Sequence, residues 1–181
     1  MIDAQLVRSL SATPIDPNVW RAMVGEHRRF LDGKQSHYGT WELLSAAGLP
    51  LALWKGPKSA TGTQINLSFG NLQGLDLTWA VLPCAAMPGV NATGQSLRGA
   101  VLSRSLLTDS QLDDTDFSLA KLEYVDFSRS SLRNACFRKA LLMKADFENC
   151  DLTGADFRGA KLEGAKFPGA ILDGVLGEIP G

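Results

Sequence analysis

The chain has 181 residues and a formal net charge of −1, and 45% of its residues are hydrophobic. These values predict a soluble, globular chain made of one domain and an appendage. No run of about 18 apolar residues occurs, which excludes a transmembrane helix of ordinary length.

The first 64 residues are predicted to form a mainly helical N-terminal cap region. Asp16 followed by Pro17 is typical of a helix start, because the carboxylate accepts bonds from the first N–H groups and proline is tolerated in the first turn. Apolar residues then recur at close to helical spacing, and Gly33 suits the helix end. We expect a helix over 17–32 and a shorter helix within 2–10.

Residues 36–63 carry a weaker pattern, which we expect to complete the cap. A short helix and then a short strand are predicted, the strand from the alternation of Leu51 and Leu53. Trp41 and Trp54 are expected in the core of the cap, with a role in ligand stacking as the alternative.

From residue 65 to residue 175 the sequence repeats every five residues. Every fifth residue from Leu67 to Leu172 is apolar, and from Ala100 to Ala170 the residue two positions before each of these is small or of modest size. On an α-helix five residues advance about 500°, which would scatter these apolar positions around the helix. In a flat strand an odd period would send successive large residues to opposite faces. The large apolar residues all point inward only if the chain bends once per pentad. If each bend is near a right angle, four pentads close one coil.

The alternation of leucine and phenylalanine favours four sides to each coil. From Leu112 to Leu172 the central residues alternate strictly between the two types. With four pentads per coil, residues twenty apart stack, so Phe117, Phe137 and Phe157 form one uniform column. A coil of three sides would mix the two residue types in every column. The pattern predicts an all-β solenoid, a quadrilateral parallel β-helix of about 5.5 coils.

The best-formed pentads contain Ala-Asp-Phe, as in Ala145-Asp146-Phe147 and Ala155-Asp156-Phe157. They resemble the pentads of the pentapeptide-repeat family, which read roughly Ala-Asp/Asn-Leu/Phe-x-x. The resemblance implies a right-handed quadrilateral β-helix, and the fragment EHRRFLDG is similar to the helical lead-in of that family. Pro83 and Pro88 depart from the pattern. Each follows a central residue directly and is expected to remove one ladder donor, which predicts a looser or bulged coil.

Both ends of the repeat region need cover, because a terminal coil exposes unpaired backbone groups and an apolar end. The N-terminal cap is expected to cover the first coil. Residues 176–181 form only a short tail, so Ile171, Val175, Leu176 and Ile179 are expected near an open edge. The sequence predicts either a homodimer through the C-terminal coil or closure of that end by the tail.

The cysteines Cys84, Cys136 and Cys150 lack metal-ligand spacing, and no metal or cofactor site is predicted. Cys150 takes a small inward position in the register, and Cys136 faces outward. An odd, scattered set indicates reduced thiols and a cytoplasmic location. Secretion as a bacterial effector is left open.

No catalytic constellation occurs in the sequence. His27 and His37 are the only histidines and no nucleophile accompanies them, so His27 is expected to pack or to form hydrogen bonds in the cap. Every fifth residue from Gly154 to Gly174 is glycine, which suits turns with positive φ rather than a phosphate cradle. An interior filled with leucine and phenylalanine leaves no room for a substrate. These features predict a protein that is not an enzyme.

The register assigns the outward residues to four faces. Basic residues lie on one face and outward apolar residues on the next, whereas carboxylates such as Asp109, Asp113, Asp146 and Asp151 gather on the other two. Apolar residues that point out of a coil indicate contact, either with a partner or with residues 36–63. The predicted partner-binding residues are Val81, Val101, Tyr124, Leu141, Met143, Arg98, Arg138 and Arg158.

Two kinds of function are consistent with this surface. The first is a rigid scaffold for protein–protein interaction, with a partner that the sequence does not name. The second is implied by the resemblance: a branch of the family mimics B-form DNA and binds DNA gyrase or topoisomerase IV. Mimicry requires a strongly negative surface, whereas residues 65–175 hold 13 Asp and Glu against 11 Lys and Arg. No membrane contact is expected. Direct nucleic-acid binding is not expected either, because Asp116 and Asp156 interrupt the stripe formed by Arg98, Arg138 and Arg158 and predict a salt-bridged ladder.

Overall fold

The computed structural model describes residues 67–75 and 77–180 of the chain. In this part of the chain the backbone forms stacked coils, joined by single-residue parallel β-bridges and containing no helix. Each bridge joins residues twenty positions apart, from Asn71↔Asn91 at one end to Asp156↔Leu176 at the other. Four pentads therefore complete one coil, as the alternation of leucine and phenylalanine predicts.

The predicted N-terminal cap lies outside the described residues. The predicted total of about 5.5 coils also includes residues 65, 66 and 76, which lie outside them as well. The other predictions that fall outside are the helices over 17–32 and 2–10, the segment 36–63, and the roles of His27, Trp41 and Trp54.

Each pentad has the same geometry. A bridge residue points outward, the central residue points inward, two turn residues follow, and a small residue completes the corner. In one such pentad Leu132 N donates to Asp151 O at 2.8 Å, and Asn134 N donates to Thr153 O at 2.8 Å. Ala135 N closes the turn on Leu132 O at 3.1 Å. The central residue and the second turn residue thus both bond to the next coil.

Pro83 and Pro88 do not interrupt this ladder. They occupy the first turn position, whose N–H makes no backbone hydrogen bond in any described pentad. Cys84 N and Gly89 N, which follow the prolines, still donate to the next coil at 3.0 and 2.8 Å. The predicted loss of ladder donors is wrong, because the donors are the residues on either side of this position.

The second turn residue of every described pentad has a positive φ. The predicted glycines from Gly154 to Gly174 do so, at φ between 68° and 74°. Thirteen residues with a side chain do so too, at φ between 55° and 64°, among them Leu119 and Tyr124. This conformation costs about 1–2 kcal/mol for a residue with a Cβ atom. The stack of coils therefore imposes the turn on residues that would not choose it alone.

The phenylalanine columns are confirmed. Phe137 stacks on Phe117 at a centroid distance of 5.2 Å and on Phe157 at 4.8 Å. It meets Phe127 and Phe147 edge-on, at 5.9 and 5.7 Å. Stacked and edge-to-face pairs are both favourable arrangements of aromatic rings. All five side chains are at most 1% exposed, so they form a continuous core along the axis of the coils.

Burial decreases where the stack ends. Leu162 is 7% exposed, whereas Leu172, in the same inward position two pentads later, is 38% exposed. Within the described residues no further coil covers Leu172, because the last bridge there joins Asp156 and Leu176. Ile179 of the tail packs against the core and covers part of this end.

Candidate protein-interaction surface

The bridge residues define four outer faces. Face 1 carries Ser96, Asp116, Cys136 and Asp156, and face 2 carries Val81, Val101, Lys121, Leu141 and Lys161. Face 3 carries Ala86, Leu106, Asp126, Asp146 and Lys166, and face 4 carries Asn71, Asn91, Gln111, Ser131, Asp151 and Ile171. The turn residues that follow each central residue extend these faces to the corners.

The three predicted arginines lie together on face 1, in the first turn position of different coils. Arg158 forms an ion pair with Asp156 at 2.7 Å, and Arg138 approaches the same carboxylate at 3.8 Å. The hydrogen bond from Arg158 is the main cause that lowers the pKa of the Asp156 carboxyl. Arg98 donates to Ser118 Oγ at 2.9 Å instead of to a carboxylate. The salt-bridged ladder therefore forms at Asp156 and does not extend to Arg98.

A shallow groove of about 480 Å³ lies on face 1. Within it, Asp116 Oδ1 accepts a hydrogen bond from Ser118 N at 2.8 Å, so this carboxylate is engaged by its own turn. Three cationic side chains and one carboxylate face the groove, which favours anionic groups. The lining residues are Arg98, Asp116, Ser118, Leu119, Cys136, Arg138 and Lys139. We call this site the basic groove.

The predicted apolar residues lie on face 2. Val81, Val101 and Leu141 occupy one bridge column, and Met143 follows in a first turn position. Val81 is 44% exposed, and the other three are half-buried. The bridge column also holds Lys121, so apolar and basic side chains share one face.

Tyr124 lies on face 2 between two cations. It is 47% exposed, and the Arg104 guanidinium and the Lys144 ammonium lie 4.9 and 5.3 Å from its ring centroid. Cation–π contacts at exposed sites contribute about 0.5–1 kcal/mol each. In the adjoining column Ser103 Oγ donates to Glu123 Oε2 at 2.6 Å. The aromatic ring is thus held in place with its two positive neighbours.

Among the described residues, three exposed apolar side chains were missed by the reasoning from sequence. Trp79 is 60% exposed and Leu119 is 37% exposed, and both lie at the corner between faces 1 and 2. They occupy the second turn position, as Tyr124 does, so the register alone could have found them. Leu106, 44% exposed, lies on face 3.

Faces 3 and 4 carry the predicted carboxylates. They also carry arginines that were not included when outward residues were assigned to faces from the sequence. Arg129 Nε and Nη2 both donate to Asp109 at 2.8 Å. This hydrogen bonding is the main cause that lowers the pKa of the Asp109 carboxyl. Arg133 Nη1 donates to Asp151 at 2.9 Å. Exposed pairs of this kind stabilise a fold by about 0–1 kcal/mol each, so they mainly neutralise the surface.

Charge is distributed unevenly over the described faces. Faces 1 and 2 carry more cations than carboxylates, and faces 3 and 4 carry more carboxylates than cations. On faces 1 and 2 the cations are Arg98, Arg104, Lys121, Arg138, Lys139, Lys144, Arg158 and Lys161, and the carboxylates are Asp116, Glu123, Asp156 and Glu163. On faces 3 and 4 the cations are Arg129, Arg133 and Lys166, and the carboxylates are Asp109, Asp113, Asp114, Asp126, Asp146, Glu148, Asp151 and Asp173.

The described residues contain no group of three or more His, Cys, Asp and Glu side chains that could hold a metal ion. Cys150 is fully buried and donates through Sγ to Phe127 O at 2.9 Å, and burial raises the pKa of its thiol to about 12. Cys136 lies outward on face 1 and is half-buried. Between residues 67 and 180, apart from residue 76, no helix is long and apolar enough to cross a membrane.

The family of the chain follows from comparison of its repeats with known protein families. Pentapeptide repeats, in eight copies, match residues 89–123, 110–149 and 140–176. The chain is a pentapeptide-repeat protein. Pentapeptide-repeat proteins are generally structural or binding proteins rather than enzymes. Proteins of this family form β-helices, in agreement with the all-β solenoid described above.

Solved structures of other pentapeptide-repeat proteins are similar to this chain. QnrB1, a plasmid-mediated fluoroquinolone resistance protein, is 19% identical with a TM-score of 0.44, over 52% of this chain and 61% of QnrB1. A protein of the Arabidopsis thaliana thylakoid lumen is 27% identical with a TM-score of 0.32, over 55% of this chain and 69% of that protein. Rfr23 from the cyanobacterium Cyanothece 51142 is 24% identical with a TM-score of 0.26, over 55% and 65% of the two chains. The chain thus spans less than two thirds of the length of QnrB1, and no curated protein matches it.

Proposed function

We propose that this pentapeptide-repeat protein is a non-enzymatic scaffold that binds another protein through faces 1 and 2. The observation that carries the proposal is the set of exposed apolar and aromatic side chains on these adjoining faces. Trp79, Val81 and Tyr124 are 60%, 44% and 47% exposed. Exposed apolar groups that lie close together are typical of interaction sites.

The coil geometry supports a role in presenting side chains. Bridges hold equivalent residues of successive coils at the spacing of neighbouring strands, about 4.8 Å. The core beneath faces 1 and 2 is filled by stacked phenylalanine and leucine side chains, which fixes the backbone under each surface residue. A partner therefore meets a preformed surface and pays little conformational entropy on the scaffold side.

The filled interior supports a binding role over a catalytic one. The central residues from Leu67 to Phe157 are at most 2% exposed, so a substrate could reach only the outer faces. On those faces the carboxylates Asp109, Asp151 and Asp156 have lowered pKa values, because they accept hydrogen bonds from neighbouring side chains. A general acid requires the opposite shift, towards neutral pH.

The proposal is tested by affinity capture from a lysate of the source organism. The wild-type protein is compared with a Val101→Glu, Leu141→Glu double variant and with Leu106→Glu as the control. Leu106 is exposed on face 3, so its substitution introduces a glutamate away from the proposed surface. We expect the double variant to lose proteins that the wild type and the control both retain.

Circular dichroism melting curves check that the variants remain folded. If a folded double variant recovers the same proteins as the wild type, faces 1 and 2 are not the contact surface and the proposal is wrong.

Binding of DNA gyrase or topoisomerase IV by DNA mimicry is the alternative function, and faces 3 and 4 would have to carry it. Asp126 and Asp146 are bridge neighbours there, at a spacing that could imitate a row of phosphates. Arg129 and Arg133, however, pair with carboxylates on these faces and reduce their negative charge. We therefore favour the scaffold, and inhibition of gyrase supercoiling by the purified protein would reverse this preference.

A further inference from the structure

We propose that the partner binds through an acidic peptide segment, whose apolar side chain rests on the corner between faces 1 and 2 and whose carboxylates enter the basic groove. The inference rests on the proposed function and adds the chemistry of the partner to it. The corner is formed by Trp79, Val81, Val101 and Leu119, and we call it the apolar corner.

The apolar corner is a compact patch built from three successive coils. Val81 and Val101 are bridge partners on face 2. Trp79 and Leu119 occupy the second turn position two coils apart, and Gly99 lies between them. A Cβ atom on Gly99 would collide with Cε3 of Trp79, so the indole ring lies directly over this glycine. The absence of a side chain at Gly99 allows Trp79 to lie flat along the corner towards Leu119.

Cations surround the apolar corner on both sides. Arg98 lies on face 1, Lys139 follows Leu119 at the corner in the next coil, and Arg104 and Lys121 lie on face 2. Among the described residues, the neighbouring carboxylates are already engaged within the protein, Asp116 by Ser118 N at 2.8 Å and Glu123 by Ser103 Oγ at 2.6 Å. A segment that approaches the corner therefore meets apolar surface with a positive rim, which is complementary to an acidic segment.

The basic groove adjoins the corner through Leu119, which lines both. Arg138 in the groove lies 3.8 Å from Asp156, whereas Arg158 binds that carboxylate at 2.7 Å. Arg138 is thus loosely held and has donors to offer. A carboxylate that enters the groove could accept hydrogen bonds from Arg138 and meet the charge of Lys139.

A peptide fits this surface better than a nucleic acid does. Asp116 and Asp156 stand in the same column as Cys136 on face 1, so a continuous phosphate backbone along that face would meet two carboxylates. A peptide can place one or two carboxylates beside Arg98 and Arg138 and leave the aspartates uncontacted. The small area of the corner suits a single large apolar side chain.

The test measures direct binding by fluorescence anisotropy. The probe is a short fluorescein-labelled peptide with one tryptophan flanked on each side by glutamates, titrated with the full chain. A peptide with lysines in place of glutamates is the charge control, and a labelled oligodeoxythymidine is the nucleic-acid control. We expect saturable binding of the acidic peptide alone, with an affinity that falls as salt is raised.

Two double variants separate the parts of the surface. Val81→Ser with Leu119→Ser removes two of the four side chains of the apolar corner, and Arg138→Gln with Lys139→Gln removes two of the three cations of the basic groove. We expect each to weaken binding by about tenfold or more, whereas Leu106→Ser on face 3 leaves it unchanged. Melting curves confirm that all three variants are folded.

Absence of binding to the acidic peptide overturns the inference, as does equal binding of the lysine peptide. Equal affinity for the wild type and both double variants also overturns it, and preference for the oligodeoxythymidine assigns the surface to nucleic acid instead. If lysate capture depends on Val101 and Leu141 while the acidic peptide does not bind, the proposed function stands and only this inference falls.

Discussion

Phe137 shows how one residue contributes to the fold in four directions. Its ring stacks on Phe117 and Phe157 above and below and meets Phe127 and Phe147 across the coil. Aromatic pairs contribute about 0.5–1.5 kcal/mol beyond the burial of their surface. Phe167, in the same inward position near the end of the stack, is only half-buried. The same residue type should therefore matter less at the end than at the middle.

The Phe137→Ala variant should lose about 3–5 kcal/mol of unfolding free energy, the usual effect of a large cavity in a packed core. Phe167→Ala is the matched control, and it should lose less than half as much, because Phe167 is partly in contact with solvent. Urea denaturation followed by circular dichroism measures both. Equal losses would show that burial does not decrease along the stack.

Cys136 and Cys150 differ in burial although they are only fourteen positions apart, and we therefore expect them to differ in reactivity. Burial raises the pKa of the Cys150 thiol to about 12, so almost no thiolate forms at neutral or mildly alkaline pH. In native protein at pH 8, Ellman's reagent should modify Cys136 within minutes and leave Cys150 unmodified. A Cys136→Ser variant identifies the site by mass spectrometry. Rapid modification of Cys150 in folded protein would contradict its position in the core.

The corner of each pentad is the element on which the stack depends. Where the corner residue is a serine, its hydroxyl links two coils. Ser130 Oγ donates to Leu107 O at 2.7 Å and accepts from Ser110 N at 3.0 Å. Ser105 Oγ likewise accepts from Ala85 N at 3.0 Å. Buried polar groups of this kind are tolerated because every hydrogen bond is made.

The Ser130→Ala variant should cost about 1–3 kcal/mol, because Ser110 N then has no acceptor among the described residues. The Ser105→Ala variant should cost less, since Ala85 N also donates to Leu82 O at 3.3 Å. Thermal unfolding of both variants beside the wild type measures the difference. A larger loss for Ser105→Ala would refute this account of the corner.

At the scale of the whole molecule, the C-terminal end of the stack differs from the coils before it. At the C-terminal end the backbone N–H groups of Leu162, Phe167 and Leu172 make no backbone hydrogen bond within the described residues. The same groups from Leu82 to Phe157 donate to the next coil. Ile171 and Leu176 are 49% and 46% exposed nearby. An edge with unpaired donors and exposed apolar groups favours pairing with another chain.

We expect two copies of the chain to pair through this C-terminal coil. Size-exclusion chromatography with multi-angle light scattering should give the mass of a dimer for the wild type. An Ile171→Lys, Leu176→Lys double variant should give a monomer, and Leu106→Lys should remain a dimer. A wild-type monomer at all concentrations would show that the tail, through Ile179, covers this end sufficiently.

Sequence reasoning predicted the course of the chain but only part of its surface. The pentad period predicted which residues face inward. The alternation of leucine and phenylalanine at the central positions predicted the columns that contain Phe117 and Phe127. The pairing of Arg129 with Asp109 was missed, because the register gives the face of a residue and not the direction of a long side chain. Trp79 and Leu119 were missed for another reason. The register already placed both side chains outward, but they were not included among the predicted surface residues.

By itself, the sequence determined the inward and outward pattern of the repeat region, because a period of five acts locally and recurs without interruption. Features of the backbone and side chains that depend on the next coil, twenty residues away, were decided only by the tertiary structure. It showed that Pro83 removes no ladder bond, that Leu119 and Tyr124 adopt positive φ, and that Trp79 lies over Gly99. The physical reason is that each of these features is imposed by a neighbouring coil, and no local stretch of sequence contains that neighbour.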